Sequence, residues 1–325
     1  MGFDRSVLDF GVEKVARQLV DFIREQVTAV FRRKGIVIGL SGGIDSTVAA
    51  ALSVRALGRD RVFGVLLPEK DSAPVSREYG RSVADDIGIA CKEVEITPMV
   101  EAFGVYDVRN IIVKKYFPGY EDGQRFRLSL PQDMLDRDRI SAYYLDLEMP
   151  GGEIESKRLS RDDFLTMMAA NDVKQRVRMT QLYYEAEKRH YIVCGTTNLP
   201  ETVQGFFVKF GDGGVDIEPL TYLYKSQVFK LGEYLGVPQE VLSRTPSPDT
   251  YSLPVSDKDF YFCMSYDTAD MILYALRNDI PRDETAEALG LTVEQVARAW
   301  KDFERKKDAT AMLRSMPPAP ELIMR

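Results

Sequence analysis

Residues Lys34–Leu57 read KGIVIGLSGGIDSTVAAALSVRAL, and the order of residue types in them decides the fold. Ile36–Leu40 is a short apolar run rich in β-branched residues, the pattern of a strand buried on both faces. Ser41-Gly42-Gly43-Ile44-Asp45-Ser46 follows, then an Ala- and Leu-rich helix over Thr47–Leu57. Strand, glycine turn and helix make a phosphate cradle. Glycine lets the backbone come close, and the free N–H groups of a helix start favour an anion. The turn is not a Walker A loop, because GxxxxGK[ST] is absent. Ser41 and Ser46 add hydroxyl donors. Asp45 would repel phosphates unless a cation lay between them, which implies Mg²⁺ with oxygen ligands. A tight turn closing a βα unit is the plain alternative. It accounts for the glycines but not for Asp45 and Ser46.

Outward from this stretch the rhythm continues. Upstream, Val12, Val15, Leu19, Phe22, Ile23, Val27 and Val30 share one face of a helix predicted over Val7–Phe31, for packing or for a dimer contact. Downstream come a strand over Arg61–Leu67, a polar connection Pro68–Ser72, a helix over Val75–Ile87 and a strand over Lys92–Ile96. Alternating strands and helices predict an α/β fold with a doubly wound, mostly parallel sheet and ligands at the strands' carboxyl ends. Gly104–Asp162 breaks the rhythm and reads as an inserted flap or small subdomain, the alternative being a surface excursion. It offers short strands at Phe126–Leu130 and Tyr143–Leu147, and a hairpin turn at Met149–Glu153 leading to Ile154–Leu159. A helix over Asp163–Arg189 packs Lys174, Arg176 and Arg178 into one turn. Such a turn usually marks a solvated face, but here it precedes a strand at Tyr191–Gly195 and could border the site. Gly211-Asp212-Gly213-Gly214-Val215-Asp216 needs no regular structure and reads as a loop for cations, phosphates or sugar hydroxyls. A helix containing Lys225 stops at Gly236-Val237-Pro238, and Pro246-Ser247-Pro248-Asp249 is a rigid loop. Tyr266–Leu313 reads as a helical C-terminal region, followed by a Pro-rich tail. The whole of 1–325 reads as one domain.

Composition narrows the function. A net charge of −7 argues against a general nucleic-acid binder. Thr285–Trp300 has the spacing of a helix-turn-helix, but two packed helices joined by a glycine turn give the same spacing. His190 is the only histidine, so multi-histidine metal sites and histidine triads are excluded. Cys91, Cys194 and Cys263 are widely spaced with no CxxC, as in a reduced, cytoplasmic protein. No apolar run is long enough to span a membrane, and Met1–Asp9 has no signal-peptide core.

The Ser41–Ser46 loop resembles the pyrophosphate-binding loop of the N-type ATP pyrophosphatases, whose fold is adenine-nucleotide α-hydrolase-like. GTTNLPETVQGFFVKFGDGGVDIEPLTYLYKSQV, Gly195–Val228, resembles the NAD synthetases. It meets every fixed position of their GT-x₄-E-x₃-G-x₃-K-x-GDG-x₂-D-x₂-PL-x₂-L-x-K-x₂-V pattern. VKQRVRM at Val173 and the P-[ST]-x-D loop at Pro246 are similar to theirs too. The resemblance implies ATP-dependent amidation of deamido-NAD to NAD by ammonia, with AMP and pyrophosphate released. Two alternatives are amidation or thiolation of another acyl substrate, and nucleotide binding without turnover.

Position by position, the resemblance implies that Gly39, Leu40, Ser41, Gly42, Gly43, Ile44, Asp45 and Ser46 hold ATP, joined by Arg176, Thr196, Lys225 and Ser247. Asp45 and Glu201 are implied as the Mg²⁺ carboxylates. Lys209, Asp212 and Asp216 are implied as deamido-NAD contacts, and Lys225, Asp45 and Ser247 as catalytic. A homodimer is implied. The sequence departs from the pattern at Leu66, where many members have an arginine, and at Asp172, where Asn often stands. It departs again in the long 104–162 segment, where Tyr143 and Tyr144 are candidate dinucleotide aromatics. Only 40 residues precede Ser41 and they hold no cysteine, so ammonia rather than glutamine is the expected nitrogen source.

Overall fold

The structure, a computed structural model, describes residues 2–137 and 142–320. A single 3₁₀ turn at Arg5–Leu8, capped by Asp4, precedes α1 (Val12–Glu25), whose last turn widens over Gln26–Val30. The predicted helix from Val7 therefore begins five residues later, because Asp9-Phe10-Gly11 breaks the helical path. Next come β1 (Ile36–Gly39), α2 (Ile44–Leu57), β2 (Val62–Leu66), α3 (Pro74–Asp86) and β3 (Ala90–Glu93). β3 lies two residues upstream of its predicted start. Its Val94 still bonds to the carbonyl of Leu66, after which Thr97-Pro98 opens a helix.

Two helices follow, α4 (Thr97–Ala102) and α5 (Val105–Tyr116), then β4 (Phe126–Ser129), β5 (Tyr144–Glu148) and β6 (Ile154–Arg158). The three strands form an antiparallel sheet in the order β4-β5-β6. α5 is absent from the sequence reading. Its buried Tyr106, Arg109, Ile112 and Val113 mix polar with apolar side chains and blur the helical stripe. Phe126, Leu128, Leu145 and Leu147 share a core with Ile112, Met167 and Tyr251, so the segment is built into the protein rather than a surface excursion.

α6 (Arg161–Arg189) returns the chain to β7 (Ile192–Cys194) and α7 (Leu199–Gln204). α8 (Lys225–Leu235), α9 (Gln239–Leu242), α10 (Tyr266–Arg277), α11 (Arg282–Leu289) and α12 (Val293–Ala309) follow. The main sheet runs β3-β2-β1-β7, parallel throughout, with Ile36 level with both Val62 and Ile192. Ile36 and Ile38 face a core with α1, α2 and α8, while Val37 and Val193 face Leu182 and Ala186 of α6. Helices thus cover both faces, the doubly wound arrangement. The chain steps from β1 to β2 on one side and reaches β7 on the other. The crevice between the carboxyl ends of β1 and β7 is therefore the switch point where ligands bind.

Candidate active site

Ser41–Ser46 lies at that crevice, and its shape is set by packing. Gly42 has φ +69°, and a Cβ there would stand 2.7 Å from Tyr79 Cβ and 2.8 Å from the Ser76 carbonyl. Only glycine fits between the strand end and α3. Ser46 Oγ donates to the Gly43 carbonyl at 3.0 Å and lies 3.2 Å from Ser41 Oγ, which preforms the loop. Arg244, which the sequence reading passed over, braces the lip. Its guanidinium donates to the Ser41 carbonyl at 3.2 Å and to Ser76 Oγ at 2.5 Å. The only sequence signal was a cation just ahead of the P-[ST]-x-D loop.

Asp45, Glu201 and Lys225 meet although far apart in sequence. Asp45 sits in the first turn of α2, and its Oδ1 accepts from Asn198 Nδ2 at 3.0 Å. Glu201 closes the capping box of α7 with Asn198, which fixes its carboxylate against the helix start. Lys225 opens α8, where Asp270 of α10 accepts the N–H groups of Lys225 and Ser226 at 3.2 and 2.8 Å. Lys225 Nζ then lies 2.5 Å from Asp45 Oδ2 and 3.3 Å from Glu201 Oε1. Lys225 is 1% exposed. Burial disfavours its cation, but Asp45, Glu201 and Asp257 together outweigh burial and hold its pKa above the ordinary lysine value.

Asp257, also unforeseen, completes the cluster. Tyr266 Oη donates to its Oδ2 at 2.7 Å, while its buried Oδ1 has no hydrogen-bond partner. Burial pushes this carboxyl up to about 6, with Lys225 pulling the other way. Burial likewise raises Glu201, again against Lys225. Three carboxyl groups face one ammonium, and a divalent cation there would favour their ionised forms. Among the described residues no three His, Cys, Asp or Glu side chains converge to hold a metal by themselves. Asp45 and Glu201 could hold Mg²⁺ as a pair, provided phosphate oxygens and water supplied the other ligands.

The basic turn of α6 is a solvated face only at Arg176. Lys174 is fully buried, 2.7 Å from Glu69 Oε1, 2.8 Å from Asp71 Oδ2 and 2.8 Å from the Thr250 carbonyl. Burial lowers its pKa to about 8. Tyr106 and Arg109 of α5 close the network on Glu69 and Asp71. Arg178 reaches the Leu67 carbonyl at 3.2 Å, which places a guanidinium one residue beyond Leu66. Arg176, half-exposed, faces Asp172 at 3.9 Å.

The remaining expected contacts are dispersed. Thr196 follows β7 and is half-buried, and Ser247 Oγ accepts from the Asp249 N–H at 3.2 Å. Lys209 donates to the carbonyls of Met312 and Ser315 at 2.8 and 3.0 Å. Asp212 staples its own loop through the Val208 N–H at 2.7 Å. Asp216 accepts from the Val193 N–H at 2.8 Å and from Tyr183 Oη at 3.1 Å, joining the loop to β7 and α6. Tyr143 is stacked on Phe164 with ring centroids 4.4 Å apart, while Tyr144 is half-buried at the start of β5.

The profile of the NAD synthase family matches residues 15–114 and 143–309. The chain belongs to the NAD synthase family. An NH(3)-dependent NAD(+) synthetase of Mesorhizobium japonicum is 41% identical over 92% of this chain and 94% of its own length. One from Thermotoga maritima is 38% identical over 82% and 88%. Among solved structures, NMN synthetase from Francisella tularensis superposes with a TM-score of 0.67 at 25% identity, covering 97% of this chain and 100% of that one. A glutamine-dependent NAD+ synthetase from Acinetobacter baumannii, solved with ADP, shares the fold at 21% identity and a TM-score of 0.53. This chain spans 47% of it. The two stretches matched by the family profile flank 115–142, so the family pattern includes both ends of the 104–162 segment.

Proposed function

We infer that the chain catalyses the ATP-dependent amidation of deamido-NAD to NAD. A nicotinate carboxylate oxygen attacks the α-phosphorus of ATP, the bond to the bridging oxygen breaks, and pyrophosphate leaves. Ammonia then attacks the acyl carbon, the acyl–oxygen bond breaks, and AMP leaves with the electron pair as the amide nitrogen gives up a proton. The observation that carries this reading is Lys225, buried between Asp45 and Glu201 beside the Ser41–Ser46 loop at the sheet's switch point. A fixed ammonium there offsets charge as the polyphosphate separates. Mg²⁺ held by Asp45 and Glu201 would supply further charge neutralisation. Gly39–Ser46, Thr196 and Ser247 line the path proposed for ATP, with Arg176 and Arg178 at its margin and Arg178 standing in for the arginine missing at Leu66. Lys209, Asp212 and Asp216 are proposed for the dinucleotide, Asp216 by shaping the loop. The 104–162 segment is the proposed second wall of the site, within a single catalytic domain. The working form is proposed to be a cytoplasmic homodimer, checked by light scattering of the purified chain.

The test supplies ATP, Mg²⁺, ammonium and deamido-NAD, and measures NAD, AMP and pyrophosphate together. Equal yields of all three support the reading. AMP release that ignores deamido-NAD, or turnover only with the nicotinate mononucleotide, would overturn it.

A further inference from the structure

An open surface depression of about 760 Å³ lies at the opposite end of the main sheet, lined by Thr28, Arg32, Arg33, Lys34, Arg61, Arg189, His190 and Tyr191. Three connections build it: the link from α1 to β1, the first residue before β2, and the link from α6 to β7. All three lie at the amino ends of neighbouring strands. β1 spans four residues, so roughly 13 Å of strand separates this cavity from the phosphate loop, at about 3.3 Å per residue.

Its charge is opposite to that of the chain. No acidic residue lines it, in a protein of net charge −7. Arg189 is paired with Glu185. Among the described residues, Arg32, Arg33, Lys34 and Arg61 have no carboxylate within ion-pair distance. Arg61 Nε donates to the Lys34 carbonyl at 2.5 Å, leaving its two terminal nitrogens without a protein partner. The competing reading is that these cations serve the carboxyl ends of α1 and α6. Each helix end carries about −0.5 of a charge, so two ends are balanced by about one cation. Four unpaired cations leave an excess of about three. Both helix ends are also already closed by backbone bonds: Arg33 N–H to Val27, and His190 and Tyr191 N–H to Ala186.

We propose that this cavity is a second anion site, separate from the amidation centre, that takes a small molecule bearing two or more linked phosphates. Arginine forks match phosphate oxygens in pairs, which suits a cluster of three arginines and a lysine. The volume falls in the range of small-ligand sites, and a compact ligand held there would keep part of its surface in water.

The test is calorimetry on the full chain without divalent cations, at low salt, with inorganic tripolyphosphate as the probe. A binding event should remain in Ser41→Glu, which sets a negative charge at the exposed mouth of the phosphate loop. Arg33→Glu with Arg61→Glu should weaken that event at least tenfold, while turnover of ATP and thermal unfolding stay unchanged. Affinity should fall as salt rises. Loss of all tripolyphosphate binding in Ser41→Glu would overturn the proposal. So would unchanged binding in the double variant, or a short oligonucleotide displacing the probe at lower concentration than tripolyphosphate itself. None of these outcomes depends on whether the chain makes NAD.

Discussion

Lys225 has no room to be anything but charged, wedged between Asp45 and Glu201. Lys225→Ala should lower turnover by about 10²–10³ while changing the KM for ATP little, as expected for a charge that acts mainly in the transition state. Steady-state kinetics decide this, and an unchanged kcat with a raised KM would make Lys225 a binding residue only. Asp257 gives a prediction with a sign. Its folded pKa of about 6 lies above the unfolded 3.8, so the folded state binds its proton more tightly. It therefore adds stability at low pH that is lost as pH rises from about 4 through 6, roughly 3 kcal/mol at most at ~1.4 kcal/mol per unit. Without divalent cations, Asp257→Asn should gain on the unmodified chain across that window in thermal unfolding. A constant difference would show that Asp257 ionises normally. Cys194 is buried and its thiol is pushed up to about 12, whereas Cys91 is partly exposed. The Cys194 thiol is thus shifted away from the depressed pKa of a nucleophile.

Elements carry these residues, and their ends hold the site together. Asp270 caps α8 from α10, far away in sequence, and so sets where Lys225 starts. Asp270→Ala should cost about 1–2 kcal/mol in unfolding, the range for a lost cap, and should lower kcat as well. Asp270→Asn, which keeps an acceptor, should recover part of both. Lys174 of α6 ties the Glu69–Asp71 loop to Thr250, beside the phosphate site. Removing one partner of such a buried network costs about 3–5 kcal/mol, so Lys174→Ala should fall well below Lys174→Arg in melting temperature. The helix-turn-helix look-alike resolves at this scale. Gln295 and Arg298, on the would-be recognition helix α12, bond to Asp136 and the Leu135 carbonyl of the chain itself.

Over the whole molecule, the fold supplies an amidation scaffold and the expected nitrogen source is ammonia. The purified chain should make NAD with ammonium chloride and almost none with glutamine. Because free ammonium has a pKa well above neutral, the rate should rise from neutral to mildly alkaline pH. Comparable rates with glutamine, in a preparation free of other glutaminases, would refute this.

The sequence by itself determined the parallel sheet, the Ser41–Ser46 loop and the family, and it marked Asp45, Glu201 and Lys225 as candidates that the fold brings together. Those features rest on local chemistry: β-branched runs, glycines where the backbone must turn tightly, and motifs of fixed spacing. Tertiary structure decided what local patterns cannot carry. Lys174 reads as solvent-facing until Glu69 and Asp71 close on it from one loop and Thr250 from another. Asp257, Asp270 and Arg244 have no motif, since each matters only because another element stops beside it. Asp216 looks like a ligand residue within GDGGVD, yet its carboxylate is used by Val193 and Tyr183. A carboxylate's role follows from the donors around it, and in a doubly wound fold those donors come from strands and helices far away along the chain.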